Sequence, residues 1–121
     1  MSKEEVQSDI GLLIPEFQII VSGIMNLVVI KNWLPFQIFE TRRSQERQDW
    51  LVANGYSKTL KSNHSSGRAV DIVWYKDGKW SWEHDDDYKL MAGLVKEKFD
   101  DKVIWGGDFK GFYDPYHWEM R

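Results

Sequence analysis

The sequence predicts an α+β fold, a small antiparallel sheet with helices packed against it. Three observations carry this. Apolar residues recur at helical spacing in two stretches, a capped third stretch also reads as helix, and five short stretches read as strands. The two kinds do not alternate regularly, as a parallel βαβ chain would require. Asp77-Gly78, between two of the strand stretches, is a hairpin signal. The 121 residues fit one domain, 1–121, and a chain of this size folds without staples. It has no cysteine, which excludes disulfides and thiolate metal sites.

Residues 1–10 are polar and are expected to form a flexible N-terminus. Over 15–31 Phe17, Ile20, Val21, Ile24, Leu27 and Val28 mark a helix, with Pro15 suited to its first turn. This stretch contains Pro15, Glu16, Gln18, Ser22 and Asn26, so no membrane insertion is expected. The start MSKEEVQSD lacks the basic opening of a signal peptide, which predicts synthesis in the cytoplasm and release by another agent. Asn32 to Pro35 reads as a turn. FQIFE, 36–40, alternates as a short strand.

Ser44 caps a helix over 44–53, which Asn54-Gly55 ends. Residues 56–68 read as a loop and 69–75 as a strand. Residues 76–79 form the hairpin turn, and 80–82 the returning strand. Asp85 or Asp86 is expected to cap a helix over 87–99 whose face is Leu90, Met91, Leu94, Val95 and Phe99. Strands at 103–105 and 117–120 follow, separated by turns at Gly106-Gly107-Asp108 and Asp114-Pro115. The formal charge of −3 shows no basic excess, so nucleic acid is not an expected partner. A monomer is expected. Seven Trp, five Tyr and six Phe exceed what a small core needs, and some are expected to line a cleft.

The chemistry-bearing residues lie at two ends of the chain. "SNHSSGRAVDI" holds His64 in a small-residue loop and Asp71 in the strand that follows. Gly67 gives the loop freedom to bring His64 inward. "DPYHWEM" holds Asp114 before the Pro turn, then His117 and Glu119 two apart on a strand, so on one face. Two His and a carboxylate are a reasonable zinc set that leaves a position for water, and a second carboxylate could serve as base. Spacing alone leaves the plainer reading open, a soft loop and an ordinary Asp-Pro turn.

These segments resemble the zinc peptidases that cleave bacterial cell-wall peptides, the D-alanyl-D-alanine carboxypeptidase and L-alanyl-D-glutamate peptidase family. "SNHSSGRAVD" is similar to its S-x-H-x-x-G-x-A-x-D motif. "WGGDFKGFYDPYHWE" resembles its second signature, W-G-G-D-W…D-x-x-H-[FW]-E. "ETRRSQERQDWL" resembles its E-G-x-R-S-x-x-R-Q-x-x-L segment. The three occur in the family's order and span 36–119. Thr41-Arg42 stands where the family has Gly and an aromatic, and the register favours Arg43 over Arg42 as the arginine facing the site.

The resemblance implies a fold shared with hedgehog domains and one zinc ion on His64, Asp71 and His117. It also implies Asp114 as catalytic acid/base and Arg43 as the donor to the scissile carbonyl oxygen. Ser62, Gln48 and Glu119 are expected to bind substrate or to support these groups. The implied substrate is the peptidoglycan stem peptide. Aspartate before the last His resembles phage endolysins that cut between L-alanine and D-glutamate, acting on the cell wall to lyse the host. The alternatives are a D-Ala-D-Ala carboxypeptidase or dipeptidase and a zinc-binding module without catalysis.

The acidic run "EHDDDY" admits two readings, a calcium site or a helix start with carboxylates at the positive dipole end. On the second, His84 is a surface residue. Asp108 is expected to be structural, and Trp105 and Trp118 to belong to the core.

Overall fold

A computed structural model describes residues 6–57 and 62–121. Three helices, α1 (Pro15–Met25), α2 (Gln45–Ala53) and α3 (Asp85–Phe99), accompany five strands, β1 (Phe36–Glu40), β2 (Ala69–Lys76), β3 (Lys79–Ser81), β4 (Val103–Trp105) and β5 (His117–Met120). All strand pairs are antiparallel, in the order β1-β2-β5-β4, with β3 hairpinned onto β2. No described helix is long and apolar enough to cross a membrane.

The core lies between one face of the sheet and the pair α1 and α3. Phe17, Val21, Ile24 and Val28 repeat at three to four residues and are fully buried. They meet Tyr88, Met91, Ala92 and Val95 of α3 and Phe36, Val70, Ile72, Val103, Trp105 and Trp118 of the sheet. The predicted long first helix is one helical run, but its last turns widen into a π-helix, Asn26–Lys31. Helix α3 begins two residues earlier than predicted. Its cap position is His84, which makes no side-chain cap bond, while Asp85 and Asp86 sit inside the first turn. Its buried stripe runs through Tyr88, which leaves the predicted core residue Leu90 half exposed on the other side.

Strand β2 is the spine of the molecule. Side chains alternate across a strand, so Val70 and Ile72 face the core and Asp71 faces the opposite surface. On that surface Asp71 pairs in register with His117 of β5 and with Glu40 of β1. The second pairing depends on an irregularity between Ile38 and Glu40. Phe39 is the extra residue of a β-bulge, and the bulge turns Glu40 beside Asp71.

Helix α2 packs over this surface. Ser44 Oγ accepts from the Arg47 N–H at 3.1 Å as the cap, and Gly55, at φ +78°, stops the helix. The residues it buries are Arg47 and Gln48, which are polar, because its inner side meets the site rather than the core. Of the predicted flexible start, residues 1–5 lie outside the described part. The carbonyls of Gln7 and Asp9 accept from Thr41, so that segment is tied to the end of β1.

Candidate metal centre

His64, Asp71 and His117 converge on one point. Their ligand atoms lie within 4.8 Å of one another, and among the described residues no other group of three or more His, Asp or Glu does so. His64 Nε2 stands 3.3 Å and His117 Nδ1 3.5 Å from Asp71 Oδ1. The first reaches the point from the loop. Gly67, at φ +74°, turns the loop back, and its own N–H bonds to the His64 carbonyl. Ser62 Oγ accepts from the His64 N–H at 3.1 Å and so belongs to this turn.

Each imidazole is oriented through its other nitrogen. His64 Nδ1 lies 2.8 Å from the Thr41 carbonyl oxygen, which can only accept, so Nδ1 carries the proton and Nε2 keeps the lone pair. His117 Nε2 lies 2.8 Å from Glu119 Oε1 and donates to it, which aims Nδ1 at the cluster. Glu119 is itself held by the Asn63 amide at 2.9 Å. Such outer partners fix tautomer and ring orientation in metal sites. Thr41 was not singled out in the sequence as a site residue. Its contribution is a backbone carbonyl, which carries no residue-type signal.

The donor set fits a divalent cation. His64 Nε2 is buried and has no hydrogen-bond partner, an unusual cost unless something else takes the lone pair. Burial would raise the Asp71 pKa, but the His64 and His117 imidazoles outweigh it and hold the carboxyl well below the usual range. Burial likewise lowers the His117 pKa, yet its bonds to Asp71 and Glu119 carry it up to about 10. Without metal the cluster therefore keeps a proton on His117 that ligation would release.

Asp114 and Arg43 face the same cleft of about 610 Å³, together with Gln48's neighbours Arg47 and Leu51 and the aromatic side chains Phe39, Trp82, Phe109 and Tyr116. Burial, and next the charge of Asp71, push the Asp114 carboxyl up to about 6, against the pull of His117, His64 and Arg43. A carboxyl in that range can both take and give a proton near neutrality. Its loop is closed by Gly106, whose carbonyl accepts from the Asp114 N–H at 3.1 Å. Arg43 turns inward and Arg42 outward, as the register implied. The Arg43 guanidinium donates to Gln48 Oε1 and Glu40 Oε1, each at 2.8 Å, and to Asp71 Oδ2 at 3.5 Å. Its Nε is buried and without a partner. Gln48, predicted as a support, is thus seated on Arg43. Glu40 and Arg47 were missed as members of the site.

The acidic run lies elsewhere. Asp85 bonds Tyr113 and Lys89, and Asp87 accepts from Trp74 Nε1. Among the described residues these carboxylates form no convergent set of ligand atoms, and the first-turn position of Asp85, Asp86 and Asp87 matches the helix-start reading. His84 is exposed and stacks on Trp74 with ring centroids 3.7 Å apart. Asp108 pairs with Lys96, and Trp105 and Trp118 are buried in the core.

The sequence profile of the D-alanyl-D-alanine carboxypeptidase family matches residues 55–120, a span that contains all three converging ligands and Asp114. The chain belongs to that peptidase family. Over a 93-residue alignment that covers 74% of it, the chain is 35% identical to the L-alanyl-D-glutamate peptidase of Listeria phage A118. This family member spans only 32% of that relative's length. The crystal structure of the Serratia marcescens L-Ala D-Glu endopeptidase ChiX superposes with a TM-score of 0.76 at 30% identity, covering 98% of this chain and 91% of that one. The vancomycin-resistance D,D-dipeptidase VanXYg, solved with a D-Ala-D-Ala phosphinate analogue, shares the fold at a TM-score of 0.56 and 14% identity. The match covers 89% of this family member and 50% of that chain.

Proposed function

We propose that the chain is a zinc-dependent peptidase that hydrolyses peptidoglycan stem peptides, cutting between L-alanine and D-glutamate. The observation that carries the reading is a coincidence of unsatisfied groups. His64 Nε2, Arg43 Nε and Asp114 Oδ1 are buried, have no hydrogen-bond partner, and all belong to residues lining one cleft. Ser65 Oγ and Trp118 Nε1 are also unpartnered but do not line the cleft, so it is the gathering of three such atoms in one cleft that points to ligands or reacting atoms as their partners. The choice of bond is supported by the phage relative and the Serratia neighbour, both named for the L-alanyl-D-glutamate bond.

His64, Asp71 and His117 would hold the zinc ion, which when bound supplies a Lewis acid and makes a water acidic near neutral pH. Asp114 would take the proton of the attacking water and return it to the departing amine. Arg43, permanently charged, would donate its free Nε–H to the carbonyl oxygen as negative charge develops there. Glu119 and the Thr41 carbonyl keep the two imidazoles aimed. Asp114 and Arg43 together argue against a module that only binds zinc, which would need neither.

The reaction is checked by digesting purified cell walls with zinc-loaded protein and analysing the released ends by mass. New D-glutamate amino termini are expected, and chelation should abolish them. Free D-alanine instead would establish a carboxypeptidase, the activity for which the family is named. A fully loaded protein with no product on any wall preparation overturns the catalytic reading.

A further inference from the structure

Glu40 is among the most deeply buried charged groups in the chain, 1% exposed, and no part of the mechanism above uses it. It is not available as a base, because both oxygens are taken by guanidinium groups. Oε1 accepts from Arg43 Nη2 at 2.8 Å and from Arg47 Nη2 at 3.4 Å, and Oε2 accepts from Arg47 Nε. On its other side Arg43 reaches Asp71 Oδ2 only at 3.5 Å. The same Nη2 thus stands between two carboxylates and sits closer to Glu40.

That asymmetry matters because Arg43 and Asp71 have conflicting needs. A guanidinium beside a carboxylate closes into a short, two-pronged pair when nothing opposes it. Such a pair would occupy the oxygens of Asp71 and turn the free edge of Arg43 away from the cleft. Glu40, set beside Asp71 by the bulge at Phe39, draws Nη2 the other way. Gln48 fixes Nη1 at 2.8 Å, and Gln48 is in turn held by Ser57. Arg47 balances the second charge of the group. Stability alone does not call for this arrangement, since buried ion clusters contribute little that packed apolar side chains would not.

We propose that Glu40 is a positioning residue that holds Arg43 off Asp71, leaving Asp71 free to ligate metal and Arg43 free to face substrate. The proposal rests on the peptidase reading, and it adds that Glu40 acts only through Arg43.

Glu40→Gln tests it, since the amide keeps the shape and removes the charge. Zinc affinity measured by chelator competition should weaken by about 10- to 100-fold, the usual range for groups that orient ligands. On cell walls kcat should fall by a similar factor with KM little changed. In an Arg43→Ala background the same substitution should alter either quantity by less than about twofold, because the residue it restrains is gone. Wild-type affinity and turnover in Glu40→Gln overturn the proposal. So does an equal loss in both backgrounds, which would make Glu40 a structural group only. If Glu40→Gln does not fold, Glu40→Asp, which keeps the charge and shortens the reach, enters the same cycle with a smaller loss expected. An inactive wild-type protein would sink the peptidase reading, while the zinc-affinity cycle would still decide the role of Glu40.

Discussion

The two faces of strand β2 are built on opposite rules. Toward the helices, Val70 and Ile72 sit among apolar neighbours, and the phenol of Tyr88 is satisfied twice, donating to the Ser81 carbonyl at 2.8 Å and accepting from the Trp74 N–H at 3.0 Å. Toward the cleft, Asp71 sits among two histidines, an arginine and a carboxyl that burial makes reluctant to ionise. The core face is closely packed and mostly satisfied, with Trp118 Nε1 as an unpartnered polar atom. The other leaves polar atoms without partners and is held in place by the first. Substitutions on the cleft face should therefore cost function and spare stability, and those on the core face should do the reverse.

The largest effect is expected at Asp114. Asp114→Asn should lower turnover on cell walls by about 10²- to 10⁴-fold, the range for a lost general acid–base. In metal-free protein the same change should raise stability. The folded carboxyl, at about 6, binds its proton more tightly than an unfolded Asp at 3.8, so stability falls as pH rises from about 4 to 6. The Asn variant lacks that loss, which amounts to roughly 3 kcal/mol above pH 6. Denaturant melts at pH 4 and pH 7 read it. A variant less stable than wild type at pH 7 would break the comparison.

A smaller effect is expected at Glu119. Glu119→Gln should weaken zinc binding by about 10- to 100-fold, measured by chelator competition, through loss of the charged partner of His117 Nε2. Metal-free protein should also lose some stability between about pH 5 and 7, where the Glu119 carboxylate helps hold a proton on His117.

The smallest effect belongs to the core face. Tyr88→Phe leaves the Ser81 carbonyl and the Trp74 N–H without their partner and should cost about 1–3 kcal/mol, with turnover per folded molecule unchanged. It should also alter the alkaline limb. Burial, and after it the nearby Tyr116 and Asp71, raise the Tyr88 phenol to about 12 despite the Trp74 bond. The stability it contributes is complete below pH 10 and lost between 10 and 12. The variant should show a shallower decline there. Some decline remains, because Tyr113 is also raised to about 12 by burial and by Asp85.

The sequence made this division partly legible. His64, Asp71, Asp114 and His117 drew notice by residue type and by their place at strand ends, but spacing alone left a plainer reading open, and the resemblance to the peptidase motifs gave them their roles. Period-two geometry put His117 and Glu119 on one face without deciding that they touch. Strands 36–40, 103–105 and 117–120 were read at their observed bounds. Glu40 and Thr41 were not legible as site residues. In FQIFE unbroken period two would set the glutamate on the core face with Phe36 and Ile38. Only the bulge at Phe39, a property of pairing rather than of composition, turns it to the cleft face. The polar inner side of α2 has the same cause: the surface it covers is defined by strands distant in sequence. The start of α3 was misread because three consecutive aspartates offer several equivalent caps, and none of the predicted ones is used.

Gly106 bears on how such a site can change over time. A side-chain carbon there would overlap the Asp114 carbonyl oxygen and lie 2.9 Å from His117 Cβ. Its own carbonyl accepts from the N–H of both Phe109 and Asp114. Asp114 and His117 are thus both fixed against Gly106, while Lys110, Gly111 and Phe112 at the tip of the excursion are exposed to solvent. The loop behaves as a cassette on a fixed mount. Substitutions at its tip would change the part of the cleft wall formed by Phe112 and leave the spacing between Asp114 and His117 as it is.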